Sequence, residues 1–299
     1  MRYGNFVVAA LFLFALPCCA QPVEVPEQSL KLFIDTKPVA RTVITPFDKG
    51  NPEQTYKVFT HLMDPATGVD ITKGAGGKFP HHRGLFIGWN HTHVGDRQHD
   101  TWHMKDCHQV FSQEMHYAAP EGRTGHKIEV MWNKPTRKPF IREERTIDAF
   151  MRDGVYLVDF SSRLESIEEK IAFRGDLQHA GMQVRLADEV STHEESTEYI
   201  LPEGAVTGED DAVTGAWWAC CSAEVAGKRY WVLHMTPPSN PGGVPVYSIR
   251  KYARFGAFFE PDLEPGKPLS LHFRVAWSDQ PLDRATCQKL YDAFAAERP

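Results

Sequence analysis

Apolar and polar residues alternate one by one in short runs from near the start of this 299-residue chain to near its end. Side chains on a strand point to opposite faces in turn, so this pattern builds sheets with one face packed and one face wet. The clearest runs are Leu30–Ile34, Tyr56–Leu62, Lys127–Trp132, Val155–Phe160, Arg229–His234 and Leu269–Val275. Turn signals separate them at Asp64-Pro65-Ala66-Thr67-Gly68, Arg152-Asp153-Gly154, Ala226-Gly227-Lys228 and Glu264-Pro265-Gly266. Many strands at this spacing predict an all-β fold: a large two-sheet antiparallel sandwich of the supersandwich type. A helix is expected only near residues 281–296, where Pro281 stands at the start and Leu282, Leu290, Tyr291 and Phe294 share a face.

Residues 1–20 read as a signal peptide. Arg2 gives a positive start, Phe6–Leu16 is apolar, and Cys18-Cys19-Ala20 offers small residues before Gln21. An apolar run of that length is too short to span a bilayer as a stable helix. The expectation is a mature chain of one domain, residues 21–299, secreted or periplasmic and not inserted in a membrane. Cys107, Cys220, Cys221 and Cys287 show no disulfide framework, and a chain this long buries a core without staples. Cys220 and Cys221 are strand neighbours on opposite faces, so they do not pair. The 39 acidic and 33 basic residues leave no basic excess for a nucleic-acid partner.

The candidate chemistry is concentrated in one segment. His81, His82, His91, His93, His99, His103 and His108 are half of the chain's fourteen histidines. His91 and His93, two apart on a strand, share a face and form a candidate divalent-metal pair, with Asp96, His99, Asp100 or His103 available to complete the shell. The alternative is a polar histidine-bearing loop without metal.

The same segment also reads as a substrate pocket. His82 is a candidate acid or base, Arg83 an anion or oxyanion binder, and His103 a second proton carrier; Asp100 or Asp106 can orient a histidine, and Asp106 is assigned to His103. His81, Trp89 and Trp102 are candidate substrate contacts. His179 and Arg185 join them, because Gln183 and Arg185 fall on one face of a strand that continues the polar surface from His179. His234 stands before Pro237-Pro238-Ser239-Asn240-Pro241, a proline-fixed loop suited to a pocket rim. No G-x-S-x-G elbow or phosphate loop is present, and His193-Glu194 ends at Thr197 where a zinc-protease helix needs histidine.

Pro80-His81-His82-Arg83-Gly84-Leu85-Phe86 followed by Asp100-Thr101-Trp102-His103 resembles the H-H-R-G and D-F-W pair of a PmoA-like bacterial domain family of unknown function, often labelled "methane oxygenase PmoA". Pro238-Ser239-Asn240-Pro241, Arg250-Lys251-Tyr252 and Gly266-Lys267-Pro268-Leu269 are similar to it as well. Thr101 stands where that family usually has phenylalanine. The label implies a membrane enzyme, which conflicts with a chain lacking a spanning segment after its signal.

These observations lead to a secreted carbohydrate-active enzyme of hydrolase, lyase or epimerase type, acting on a sugar or other small polar ligand by histidine-assisted proton transfer. Two other classes remain open: a non-catalytic glycan-binding module and a metal-dependent oxidoreductase.

Overall fold

The computed structural model describes residues 26–297, so the expected signal peptide and the Gln21 start lie outside the described residues. The alternating runs all become strands. Each apolar run is contained in a strand or overlaps one, such as Thr124–Asn133, Val155–Ser166, Lys228–Met235 and Leu269–Ser278. Tyr56–Leu62 is strand only from Phe59 onward.

Two large antiparallel sheets carry the fold. In the nine-stranded sheet the central neighbours are Phe59–Leu62, Leu85–Trp89, Ala180–Arg185, Arg254–Phe258 and Val246–Arg250. In the eight-stranded sheet they are Lys228–Met235, Leu269–Ser278, Val155–Ser166, Pro139–Arg152 and Thr124–Asn133. Their inner faces meet in one apolar cluster, which takes Leu85, Ile87, Met182, Val184, Phe255 and Ala257 from the first sheet. From the second it takes Val130, Ile147, Phe160, Val232, Phe273 and Val275. Burying a side chain of this kind contributes about 1.5–3 kcal/mol. A one-residue slip of Ala180–Arg185 would bring Gln183 and Arg185 into that layer, so the register is fixed by the cost of burying them there.

The expected sandwich is therefore present, with one addition: a small four-stranded sheet of Asp262–Leu263, Ile171–Arg174, His91–Val94 and Arg97–His99. Alternation alone gives no sign of it, because a short strand looks the same whichever sheet it joins. The C-terminal helix is Arg284–Ala296. Asp283 caps it by accepting the Thr286 backbone N–H at 2.8 Å, worth about 1 kcal/mol. Its Cys287, Leu290, Tyr291 and Phe294 cover the outer face of the eight-stranded sheet against Cys220, Leu233 and Met235. Cys220 thus faces the helix while Cys221 faces the main core. Cys107, Cys220, Cys221 and Cys287 are free and buried. Among the described residues no helix is long and apolar enough to cross a membrane.

Candidate active site

The outer face of the nine-stranded sheet is polar at its centre. Opposite the core residues Met182, Val184 and Phe255, the strands present Gln183, Arg185 and Arg254, all buried. Two turns lie beside this face and supply histidines to one open cleft of about 450 Å³, lined by Asn90, Asp100, His103, Asp176 and His179 among others.

The first turn rests directly on the sheet because Gly88 has no side chain. A Cβ there would stand 2.4 Å from the Thr101 carbonyl oxygen. The Asp100 carboxylate closes the turn, accepting the backbone N–H of Trp102 at 3.2 Å and of His103 at 2.8 Å. Its other oxygen lies 2.8 Å from His103 Nδ1. The second turn repeats the device: Asp176 accepts the Gln178 N–H at 2.9 Å and lies 2.7 Å from His179 Nδ1. An ionised carboxylate only accepts, so each Nδ1 carries the proton and each Nε2 is left for other partners. Burial opposes ionisation of Asp100, but the side-chain and backbone hydrogen bonds from His103 outweigh it and hold the carboxyl below its usual range. Burial opposes ionisation of Asp176 in the same way, and the charge and hydrogen bond of His179 overcome it. His179 itself is lowered, by burial first, with Asp176 pulling the other way.

The two imidazoles meet. Ring centroids of His103 and His179 are 4.9 Å apart, and His81 lies 4.3 Å from His103 and 4.3 Å from His82. Burial, followed by the charge of Lys57, pushes His81 down to about 2, and burial with neighbouring His81 and Arg254 holds His82 well below its usual value. Lys57 ties the two loops together, donating from Nζ to the His81 carbonyl at 2.9 Å and the Trp102 carbonyl at 2.7 Å.

The expected site residues divide into two groups. His81, His82, Trp102, His103 and His179 come together, and Arg185 lies within the same neighbourhood, its guanidinium 4.9 Å from the Tyr252 ring on which His82 stacks. The others take different parts. His103 is oriented by Asp100, not Asp106. Asp106 is exposed at φ 57° and lines the cleft, but it meets a histidine through its backbone carbonyl, 3.2 Å from His99 Nδ1. Arg83 is not presented to the cleft as an anion binder: its guanidinium donates to the backbone carbonyls of Pro80, His82 at 2.9 Å and Glu53 at 2.6 Å, beneath Tyr56 and Phe59. Trp89 is core, stacked on Phe173 at 4.1 Å with Nε1 donating to the Phe259 carbonyl. His234 is also interior, paired with the Tyr247 hydroxyl at 2.9 Å instead of reaching a rim. His91 and His93 share an exposed face of the small sheet as alternation requires, and His91 lines the cleft, but among the described residues no three His, Cys, Asp or Glu side chains form a metal-holding group.

Sequence reasoning missed Lys57, Gln178, Tyr252 and Arg254. One signal was available: Asp100-x-x-His103 and Asp176-x-x-His179 repeat the same spacing. No local signal marks Lys57, whose partners come from two distant loops.

Several solved structures have related shapes. A galactose mutarotase-related enzyme from Lactobacillus acidophilus is 8% identical, with a TM-score of 0.44, over 84% of this chain and 97% of its own. An α-galactosidase from Lactobacillus brevis is 10% identical, with a TM-score of 0.39, over 87% of this chain and 35% of its own. A GH36 α-galactosidase from Geobacillus stearothermophilus is 11% identical, with a TM-score of 0.38, over 64% of this chain and 30% of its own. The chain thus spans about a third of each α-galactosidase. No curated protein matches its sequence. Residues 29–292 match the family of unknown function DUF6807, and the chain belongs to that family.

Proposed function

We propose that the cleft at Asp100, His103, Asp176 and His179 is the active site of a carbohydrate-active enzyme that moves protons on a sugar, working outside the cytoplasm after removal of residues 1–20. The observation that carries the reading is the convergence of two Asp–His pairs, from separate turns, with imidazole centroids 4.9 Å apart. Each carboxylate fixes the tautomer and orientation of its histidine, as a positioned general acid or base requires. Asn90, Gln98 and the two aspartates give the cleft hydrogen-bonding groups matched to sugar hydroxyls.

The geometry favours an epimerase or lyase over a hydrolase. Of the three carboxylates that line the cleft, Asp100 and Asp176 are committed to Nδ1 and only Asp106 is left, whereas glycoside hydrolysis commonly uses a carboxylate pair acting on the substrate itself. The two imidazoles stand side by side, which suits proton exchange at neighbouring atoms on one side of a ring: syn elimination, or opening and reclosing of a hemiacetal. In the second of these, one imidazole, neutral at Nε2, takes the anomeric hydroxyl proton while the other, entering as the imidazolium, gives its Nε2 proton to the ring oxygen; the ring C–O bond breaks as the C1 carbonyl forms, and the histidine pair keeps its total charge. Proton nuclear magnetic resonance of a panel of sugars and oligosaccharides with purified protein tests the reading. Accelerated anomer exchange or a new unsaturated product supports it; binding to the panel without any turnover favours the glycan-binding module instead.

A further inference from the structure

Three arginines stand side by side across the outer face of the nine-stranded sheet. Arg185 is the register partner of Arg254, and Arg254 is the register partner of Arg250, so one row of three adjacent strands carries three guanidinium groups. Like charges directly opposite each other on neighbouring strands are destabilising, and the cost grows with burial. Arg185 and Arg254 are both buried. Carboxylates serve the two ends of the row: Asp188 lies 3.6 Å from Arg185, and Asp211 lies 2.9 Å from Arg250.

Arg254, in the middle, has neutral hydrogen-bond acceptors. It donates to Gln178 Oε1 at 2.6 Å, Gln183 Oε1 at 3.1 Å and Ser248 Oγ at 2.9 Å. Gln178 Oε1 also accepts from Arg250 at 2.7 Å, so one amide oxygen serves two cations. Even so, Arg254 Nε, Arg185 Nε and Arg185 Nη1 have no hydrogen-bond partner, and neither does His82 Nδ1. Leaving buried donors unpaired is costly, and more so for charged groups. A row that concentrates positive charge and keeps donors unpaired is arranged for an anion.

The row adjoins the histidine cleft. Gln178 precedes His179 in the second turn, and Tyr252, partly exposed, lies against both Arg185 and His82. We propose that Arg185 and Arg254 receive the oxyanion substituent of an acidic sugar, a carboxylate or a sulfate ester, and so set the substrate class of the cleft. This rests on the proposed function and deepens it: the sugar ring would stand at His103 and His179 while its anionic group is held by the arginine row. Planar guanidinium forks match both oxyanions, with charge-assisted hydrogen bonds about twice as strong as neutral ones.

Calorimetric titration of the intact protein with D-glucuronate, D-galacturonate, glucose 6-sulfate and the neutral parents D-glucose and D-galactose tests the inference. The expected result is at least tenfold tighter binding of an anionic sugar than of its neutral parent. Folded Arg254→Gln and Arg185→Gln should each lose that preference, the ratio of anionic to neutral sugar affinity falling at least tenfold toward one. A uronate preferred over the sulfate ester assigns a carboxylate, and the reverse order assigns a sulfate. Equal affinity for charged and neutral sugars in the wild-type protein overturns the inference without any variant. Turnover of neutral sugars only would overturn it and leave the proposed function standing, whereas tight anionic binding without turnover would uphold the arginine site and overturn the catalytic reading.

Discussion

The imidazoles of His103 and His179 come from separate turns and lie with ring centroids 4.9 Å apart, each fixed at Nδ1 by an aspartate three residues earlier. Removing the aspartate's charge weakens the hold on the tautomer without removing the histidine. Asp100→Asn and Asp176→Asn should each lower kcat at least tenfold, with the melting temperature within a few degrees of wild type. Asp106→Asn should lower kcat less than either, since its backbone carbonyl and not its carboxylate meets a histidine. Loss of turnover in Asp106→Asn with full turnover in Asp100→Asn would restore the opposite assignment.

Arg83 supports the histidine loop from below, and its substitution should read as a stability defect. Arg83→Met strands the carbonyls of Pro80, His82 and Glu53, at roughly 1–3 kcal/mol for each group left unsatisfied. The expected loss in urea unfolding is about 3 kcal/mol or more, with ligand affinity of the folded fraction retained. A variant of wild-type stability that no longer binds anionic sugars would place Arg83 in the binding site.

Acid should destabilise the protein through its buried neutral histidines. Burial, with lesser opposing effects, pushes His61 and His234 down to about 3, and burial with the charge of Arg145 pushes His126 down to about 4. In the unfolded chain these groups titrate near the ordinary histidine value of about 6.5. The folded value is the lower one, so between the two the unfolded state holds more protons and stability rises with pH. The contribution is fully present above about pH 6.5 and is lost as pH falls toward the folded values, by up to roughly 1.4 kcal/mol per pH unit for each histidine. His234→Gln should flatten the slope of unfolding free energy between pH 6 and pH 4 by about one histidine's share. An unchanged slope contradicts the assignment of His234 as a buried neutral base.

Gly88 lets the first turn lie on the sheet, and Gly88→Ala should displace it. The added Cβ meets the Thr101 carbonyl oxygen at 2.4 Å, so the turn must shift and carry His103 with it. Turnover should fall more than tenfold while strand content by circular dichroism is preserved. Full activity in Gly88→Ala would show that the position of His103 is not critical.

The sheets were legible because alternation reports which face of a strand is buried, and that is what placed Gln183 and Arg185 together away from Met182 and Val184. The site was legible only in part. His81, His82, Trp102, His103 and His179 stood out as polar or aromatic residues in turn-rich segments, and the fold brings them together. Arg83 and His234 carry the same chemistry but spend it on interior partners, and residue type cannot distinguish the two uses. The Arg185–Arg254–Arg250 row depends on strand order, since Ala180–Arg185 and Arg254–Phe258 become neighbours only when the sheet forms. Lys57 likewise gains its meaning from two loops that meet in the fold.

Turnover of the sugar panel by folded His103→Asn and His179→Asn, measured beside the wild type at pH 7, tests the central claim most directly. Asparagine retains polarity but cannot carry the proton, so each variant should lose at least a hundredfold in kcat while binding sugar with near wild-type affinity. Wild-type turnover in either folded variant would contradict the claim that these two imidazoles perform the proton transfer.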